Sequence, residues 1–170
     1  MSRAQPRVLV SSALVLGALL GLAGSFAPAS ARGVLWGLDG TLLVVGSAML
    51  CIEHAGRGNS TASAGFLVYV VGQALILSCS AMDLDATVPF FAAGSALWAA
   101  GLALVSVSGI MAALIRVTGL IAALLFAVVA ITIFLGHRLT PLSQPLPFFA
   151  YPFLVVTLFG WAWRHLTEER

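Results

Sequence analysis

One acidic residue stands inside an otherwise apolar stretch of this sequence. Asp39 interrupts the run from Gly33 to Cys51, about 9 Å along a helix from the start of that run. A charged side chain in lipid is unfavourable, by roughly 2.5–3.5 kcal/mol at the bilayer centre on insertion scales and by less nearer the surface. Acids inside a membrane often line proton or ion paths, and they can also be protonated or paired. Asp39 is therefore the first candidate for a functional residue.

Two further polar residues are candidates to accompany Asp39. Gln73 lies near the middle of the apolar stretch from Ala64 to Met82, about one helical turn deeper than Asp39, and Thr41 follows Asp39 by two positions. A hydrogen bond between Asp39 and Gln73, which Thr41 could join, would make an intramembrane site for a proton or a cation. The same contact could be a polar clasp between two helices, or Asp39 could reach interfacial water. The sequence favours these two structural interpretations over the functional one.

The sequence contains no motif of a catalytic, metal or cofactor site. HExxH, GxSxG and P-loop patterns are absent, as is a CxxC pair. None of the three His lies in the middle of an apolar stretch, which argues against haem held by paired His, and the chain has no Lys for a Schiff base. We expect no cofactor and no bound metal. An enzyme acting on a lipid or quinone beside the aromatic-rich stretch from Leu146 to Trp163 is the least supported alternative.

The composition defines the solvent in which this chain folds. Of its 170 residues 61% are hydrophobic and 8% are charged, and the mean hydropathy is +1.07. A soluble domain has about 45–50% apolar and about 25% charged residues, so the composition indicates a membrane protein. The net charge of +2 is small and scattered, which gives no support for nucleic-acid binding. All eight basic residues are Arg, which suggests a GC-rich bacterial gene.

Six apolar stretches are each long enough to cross a bilayer. Runs such as Leu120–Phe134 show no alternation of polar and apolar residues, so helices are favoured over barrel strands. The sequence predicts an all-α polytopic bundle that forms one integral membrane domain over residues 1–170. The predicted spans are Val8–Phe26, Gly33–Cys51, Ala64–Met82, Val88–Val105, Ile110–Leu135 and Leu146–Trp163.

The distribution of arginine predicts the orientation of the bundle. With six spans and a cytoplasmic N-terminus, six arginines fall inside and two fall outside, in agreement with the positive-inside rule. We expect a multi-pass protein of a bacterial cytoplasmic membrane with both termini in the cytoplasm. The topology also puts Cys51 and Cys79 near opposite faces, too far apart for a disulfide. The inner arginines are Arg3, Arg7, Arg57, Arg116, Arg164 and Arg170, and the outer ones are Arg32 and Arg138.

The N-terminal stretch has some features of a signal peptide. Arg3 and Arg7 precede the apolar run, and Ala29-Ser30-Ala31 has the form of a cleavage site. The run of 19 residues from Val8 to Phe26 is longer than the usual 7–15 residues of a signal core, so we expect an uncleaved first helix. Cleavage would leave five spans.

Small residues recur at the spacing that lets membrane helices pack closely. The pairs Gly17/Gly21 and Gly33/Gly37 and the ladder Ala92, Ala96 and Ala100 could serve packing within the chain, which we favour, or an oligomer. This pattern and the scarcity of polar groups favour a structural or accessory membrane protein that acts through helix–helix contacts with a second copy or another membrane protein. The alternative is a small transporter or channel subunit that uses Asp39 and Gln73.

The first prediction concerns membrane insertion. Because lipid-facing helices cannot leave the bilayer without exposing their apolar surface to water, we expect the chain to stay in the membrane pellet after an alkaline carbonate wash and to be released only by detergent. Immunoblotting of the two fractions measures this. Release by carbonate alone would contradict the membrane assignment.

Overall fold

A computed structural model of the chain describes residues 4–167, with side chains from Arg7 to Thr167. Arg3 and Arg170, which contribute to the predicted orientation, lie outside the described residues. The described part folds into six α-helices joined by five connections, two of which contain 3-10 helix: the connection before α4 has two such turns and the one before α6 has one. The helices are α1 (Ala4–Phe26), α2 (Ala29–Gly56), α3 (Ser60–Ser78), α4 (Val88–Val107), α5 (Ala113–Phe134) and α6 (Tyr151–Thr167), and the 3-10 turns are Cys79–Ala81, Leu84–Thr87 and Phe148–Ala150.

The predicted all-α membrane bundle is confirmed. Five of the helices, α1 to α5, are long and apolar enough to cross a membrane. The second exceeds its predicted span at both ends: α2 has 28 residues and is ~42 Å long. The sixth helix, α6, has 17 residues, one fewer than the predicted span from Leu146 to Trp163. The architecture is compatible with a multi-pass integral membrane protein.

The connection between the fourth and fifth helices covers residues 108–112, whereas the predicted spans leave residues 106–109 between them. The predicted span from Ile110 is corrected: α5 begins at Ala113, and Ile110 belongs to the connection. Gly109 has φ +79°, a conformation that favours glycine and cannot continue a right-handed helix. The chain therefore leaves the helical path at Gly109 and needs three more residues to start α5.

The start of the sixth helix also differs from the prediction. Leu146 and Pro147 precede a turn of 3-10 helix, and α6 itself begins at Tyr151. Pro152 is the second residue of α6, a position where its missing N–H costs no hydrogen bond within the α-helix.

The six helices form a closed ring. Each helix packs against the next one in the sequence, and α6 packs against α1. The hydroxyl of Ser11 in α1 donates to the carbonyl of Ala162 in α6 at 2.9 Å, so α1 is an integral member of the ring. Because successive helices are antiparallel, α1, α3 and α5 end where α2, α4 and α6 begin. We call this the Asp39 end and the opposite one the Glu53 end.

Glycines allow neighbouring helices in the ring to approach closely. A Cβ on Gly101 of α4 would lie 2.7 Å from the backbone nitrogen of Tyr69 and 2.8 Å from the carbonyl oxygen of Gly65, both in α3. Gly17 and Gly21 likewise face α2. The Gly17/Gly21 pair therefore serves packing within the chain, as predicted. The ladder in α4 lies along one face of the helix, but this face is buried at Ala92 and exposed at Ala100.

Aromatic rings fill the centre of the ring of helices. The Trp161 ring meets Phe66 at 4.9 Å and Tyr69 at 5.3 Å between centroids, both edge-on. Trp98 stacks on Tyr69 at 6.1 Å. These contacts continue in both directions and give a column that runs along the bundle and touches α2 to α6. In order from the Glu53 end its members are His54, Phe66, Trp161, Tyr69, Trp98, Phe126 and Tyr151.

The aromatic residues of the last stretch divide into two groups. Trp161 is 1% exposed and belongs to the column, whereas Phe149 and Trp163 are more than 60% exposed. The outward rings face the region that lipid would occupy. Cys51 lies near the Glu53 end and Cys79 at the Asp39 end, and both are free thiols, as predicted.

The second prediction tests the close contact of α3 and α4. Gly101→Ala places a methyl group against backbone atoms, which cannot move aside as a side-chain tip can, so we expect the free energy of unfolding to fall by about 1–3 kcal/mol. Gly56→Ala is the matched control, because nothing lies within 4 Å of the methyl group that it adds and Ala favours a helix. Thermal unfolding in one detergent compares them. Equal melting temperatures for Gly101→Ala and the parent would contradict the packing.

Candidate functional site

Asp39 lies in the first half of α2 and points toward α1. A Cβ on Gly21 would come within 2.8 Å of Asp39 Oδ2, so the absence of a side chain at position 21 makes room for the carboxylate. Leu43, one turn further along α2, occupies the same position relative to Gly17. The glycine pair in α1 therefore forms a groove that accepts Asp39 and Leu43 in succession.

A cavity of about 60 Å³ opens beside the Asp39 carboxylate at the Asp39 end of the bundle. Its walls come from α1, α2, α4 and α6, together with the end of α3 and the connection that precedes α6. Most of the wall is apolar. The side chains with polar atoms are Ser25, Trp36, Asp39, Cys79, Trp98 and Tyr151.

Asp39 is half-buried, and its carboxylate has no hydrogen bond or ion pair within the part of the chain that the structure describes. The neighbouring hydroxyls are engaged elsewhere: Tyr151 donates to the carbonyl of Pro141 at 2.9 Å, and Ser25 donates to that of Gly21 at 3.2 Å. The carboxylate thus borders the cavity without a neutralising partner among the described residues.

Gln73 and Thr41 do not join Asp39 at this cavity. Gln73 is 1% exposed, and neither its amide nitrogen nor its amide oxygen has a hydrogen-bond partner among residues 7–167. Gly40 packs against Leu77 in the antiparallel pair α2–α3, so Gln73 lies about one helical turn deeper than Asp39. Thr41 is exposed and donates to the carbonyl of Gly37 at 2.8 Å. The contact between Asp39 and Gln73 that would make a clasp is not formed.

Several buried polar groups near Gln73 escaped sequence reasoning. Ser47, Tyr69 and Ser95 are fully buried, and their hydroxyls have no hydrogen-bond partner among the described side chains. The indole nitrogen of Trp98, a residue of the cavity wall, is also buried without a hydrogen-bond partner among the described residues. Serine and tyrosine are common in membrane helices, so nothing in their spacing marks them. Their burial depends on which faces of α2, α3 and α4 meet in the folded bundle.

The polar cluster at the Glu53 end is part of the fold. Glu53 and His54 lie in the last turn of α2, which continues five residues beyond its predicted span to Gly56, and Arg57 caps this helix. His54 is 6% exposed and stacks on Phe66 at 5.4 Å, and Glu53 contacts both Arg57 and, at 3.3 Å, His165 of α6. This cluster joins the last turns of α2 and α6. It satisfies its charges internally, unlike Asp39.

The geometry limits the chemistry that the site can perform. Within the described residues no group of three His, Cys, Asp or Glu side chains is arranged to hold a metal ion. Asp39 is a single carboxylate without a second acid or a base beside it in the cavity wall. Such an arrangement can bind a proton or a positively charged group, since either one neutralises the carboxylate.

Comparison of the chain with protein-family models, curated proteins and solved structures finds no match.

The third prediction tests whether Asp39 borders an apolar cavity. Dicyclohexylcarbodiimide is apolar and partitions into such an environment, so we expect it to modify Asp39 in the folded protein. A water-soluble carbodiimide should instead modify Asp83 and Asp85, which are exposed in the connection between α3 and α4. Mass spectrometry of peptides identifies the modified residue. The cavity assignment would be wrong if both reagents left Asp39 unmodified while labelling the exposed acids.

Proposed function

We propose that this chain is a small membrane transporter or channel subunit that takes up a proton or a cation at Asp39. The observation that carries the proposal is a carboxylate that borders a cavity in an apolar bundle and has no partner among the described residues. An unneutralised carboxylate in such surroundings is unfavourable, and the arrival of a positive charge removes that cost. The fold therefore leaves Asp39 ready to bind.

The accessory role, which the sequence favoured, has less support from the structure. That interpretation relied on small residues that could contact another helix, but Gly17, Gly21 and Gly101 contact neighbouring helices of the same chain. The outward faces carry large apolar side chains such as Leu114 and Leu124, which suit lipid. Association with a second copy or with another membrane protein stays in the proposal as a setting for transport, and no nucleic acid is involved.

The buried polar groups next to the cavity support movement of a charge further into the bundle. Trp98 belongs to the cavity wall and stacks on Tyr69, and Gln73 follows Tyr69 by one helical turn in α3. Unsatisfied polar atoms at that depth can exchange hydrogen bonds with a passing proton or cation. We propose Gln73 as a second station, separate from Asp39 and deeper in the bundle.

The orientation proposed from the arginines indicates which side of the membrane the Asp39 cavity faces. If both termini are cytoplasmic in a bacterial cytoplasmic membrane, the Asp39 end faces outward and the Glu53 end faces inward. The cavity would then receive its proton or cation from the outer side.

The fourth prediction tests uptake at Asp39. In liposomes that contain the purified chain and an internal pH or cation indicator, Asp39→Asn should lower the initial flux by about ten- to a hundredfold, because the amide cannot form a charged pair worth ~1.5–3 kcal/mol. Asp85→Asn, the same change at an exposed acid, should leave the flux unchanged.

The melting temperatures of both variants verify that they fold. A parent protein that carries neither protons nor any inorganic or organic cation tested, or a flux that Asp39→Asn does not alter, would overturn the proposal of transport at this residue.

A further inference from the structure

The walls of the Asp39 cavity are rich in aromatic rings. Trp36, Phe91, Trp98 and Tyr151 come from three helices and surround the space beside the carboxylate. The face of an aromatic ring attracts a cation through its quadrupole, most strongly when water is excluded. A carboxylate combined with such rings is suited to a cation whose surface is partly apolar.

The oxygen atoms of the cavity are poorly arranged for an inorganic cation. A metal ion replaces its hydration shell with several oxygen ligands, but Asp39 is the one carboxylate in the cavity wall. The hydroxyls of Ser25 and Tyr151 donate to backbone carbonyls, and no metal-type cluster occurs in the described part of the chain. An alkylated ammonium ion needs a single counter-charge and otherwise makes apolar and cation–π contacts.

The cavity has room for a small ligand beside the carboxylate. Its volume of about 60 Å³ is several times the roughly 10–15 Å³ that one water molecule requires. A small ammonium group therefore fits next to Asp39.

One wall residue already contacts a cation within the chain. The guanidinium of Arg32 lies 5.7 Å from the centroid of the Trp36 ring, one helical turn before it in α2. Arg32 also donates to the carbonyl of Ala27 at 2.9 Å, which fixes the guanidinium near the end of α1. Trp36 thus lies beside the Arg32 guanidinium and also in the cavity wall, so a cation in the cavity would share this ring with Arg32.

We propose that the ligand of the Asp39 cavity is a small alkylated ammonium ion, held by the carboxylate of Asp39 and by the rings of Trp36, Trp98 and Tyr151. This inference rests on the proposed function and names the substrate class of the same site. The carboxylate supplies the counter-charge, and the aromatic walls distinguish a methylated ammonium from a hydrated metal ion.

The fifth prediction tests this ligand with radiolabelled tetramethylammonium. Equilibrium dialysis of the full chain in detergent should show saturable binding that excess Na⁺ does not displace. Asp39→Asn should weaken it by at least about tenfold, and Trp36→Leu by about three- to thirtyfold. Trp36→Phe keeps a ring and should retain most of the affinity, and Asp85→Asn should bind as the parent does. Trp36 is half-buried at the edge of the cavity, so its replacement is less disruptive than that of Trp98.

The outcomes separate this inference from the proposed function. Absence of saturable tetramethylammonium binding, displacement of the bound tetramethylammonium by excess Na⁺, or equal affinity in Trp36→Leu and the parent would overturn the ammonium assignment. If tetramethylammonium does not bind but an Asp39-dependent flux of protons or metal cations is found in liposomes, the proposed function stands while the ammonium inference fails. If neither binding nor flux is found, both fail.

Discussion

Lipid offers no hydrogen bonds, and this constraint governs the whole molecule. The backbone satisfies it by forming helices, and several small hydroxyl side chains satisfy it locally: Ser25, Thr41 and Thr132 each donate to the carbonyl four residues earlier. A charged carboxylate only accepts hydrogen bonds, and the helix carbonyls are acceptors too, so Asp39 cannot be satisfied in this way. Among the described groups without a hydrogen-bond partner, Asp39 is the acid, and it borders the cavity.

The distribution of side-chain size decides where that cavity forms. Glycines at the helix contacts bring neighbouring backbones together around the ring, while the rings of the aromatic column fill its centre. Close packing of this kind leaves few voids. At the Asp39 end the column ends at Tyr151. Because Gly21 has no side chain, α1 lies directly against the Asp39 carboxylate there. The void therefore lies between the last ring of the column and the glycine groove of α1.

Hydropathy and loop residues predicted the architecture well, because the length of an apolar run and the presence of Ser, Gly or Pro act locally. The all-α bundle, the short connections and the packing of Gly17 and Gly21 within the chain followed from such signals. The boundaries of α5 and α6 did not, since they depend on the conformation of Gly109 and on Pro152 being tolerated in a first turn. The site was predicted in part. The position of Asp39 in a span is visible in the sequence, but which helix it faces is a tertiary property, as is the separation of Gln73 and Thr41 from it.

The two ends of the bundle treat their acidic residues in opposite ways. Glu53 contacts Arg57 and His165 and so links α2 with α6, which makes its charge part of the structure. Asp39 stands on the same helix 14 positions earlier and has neither a basic partner nor a hydrogen-bond donor within the described residues. A purely structural acid would gain from the arrangement that Glu53 has, because an unpaired carboxylate in an apolar setting lowers stability. Among its described residues the fold contains an unpaired acid at one end only, and there the carboxylate borders a cavity. This difference between two acids of one helix is the main argument for the proposal that Asp39 binds a positive charge, whereas Glu53 holds α2 and α6 together.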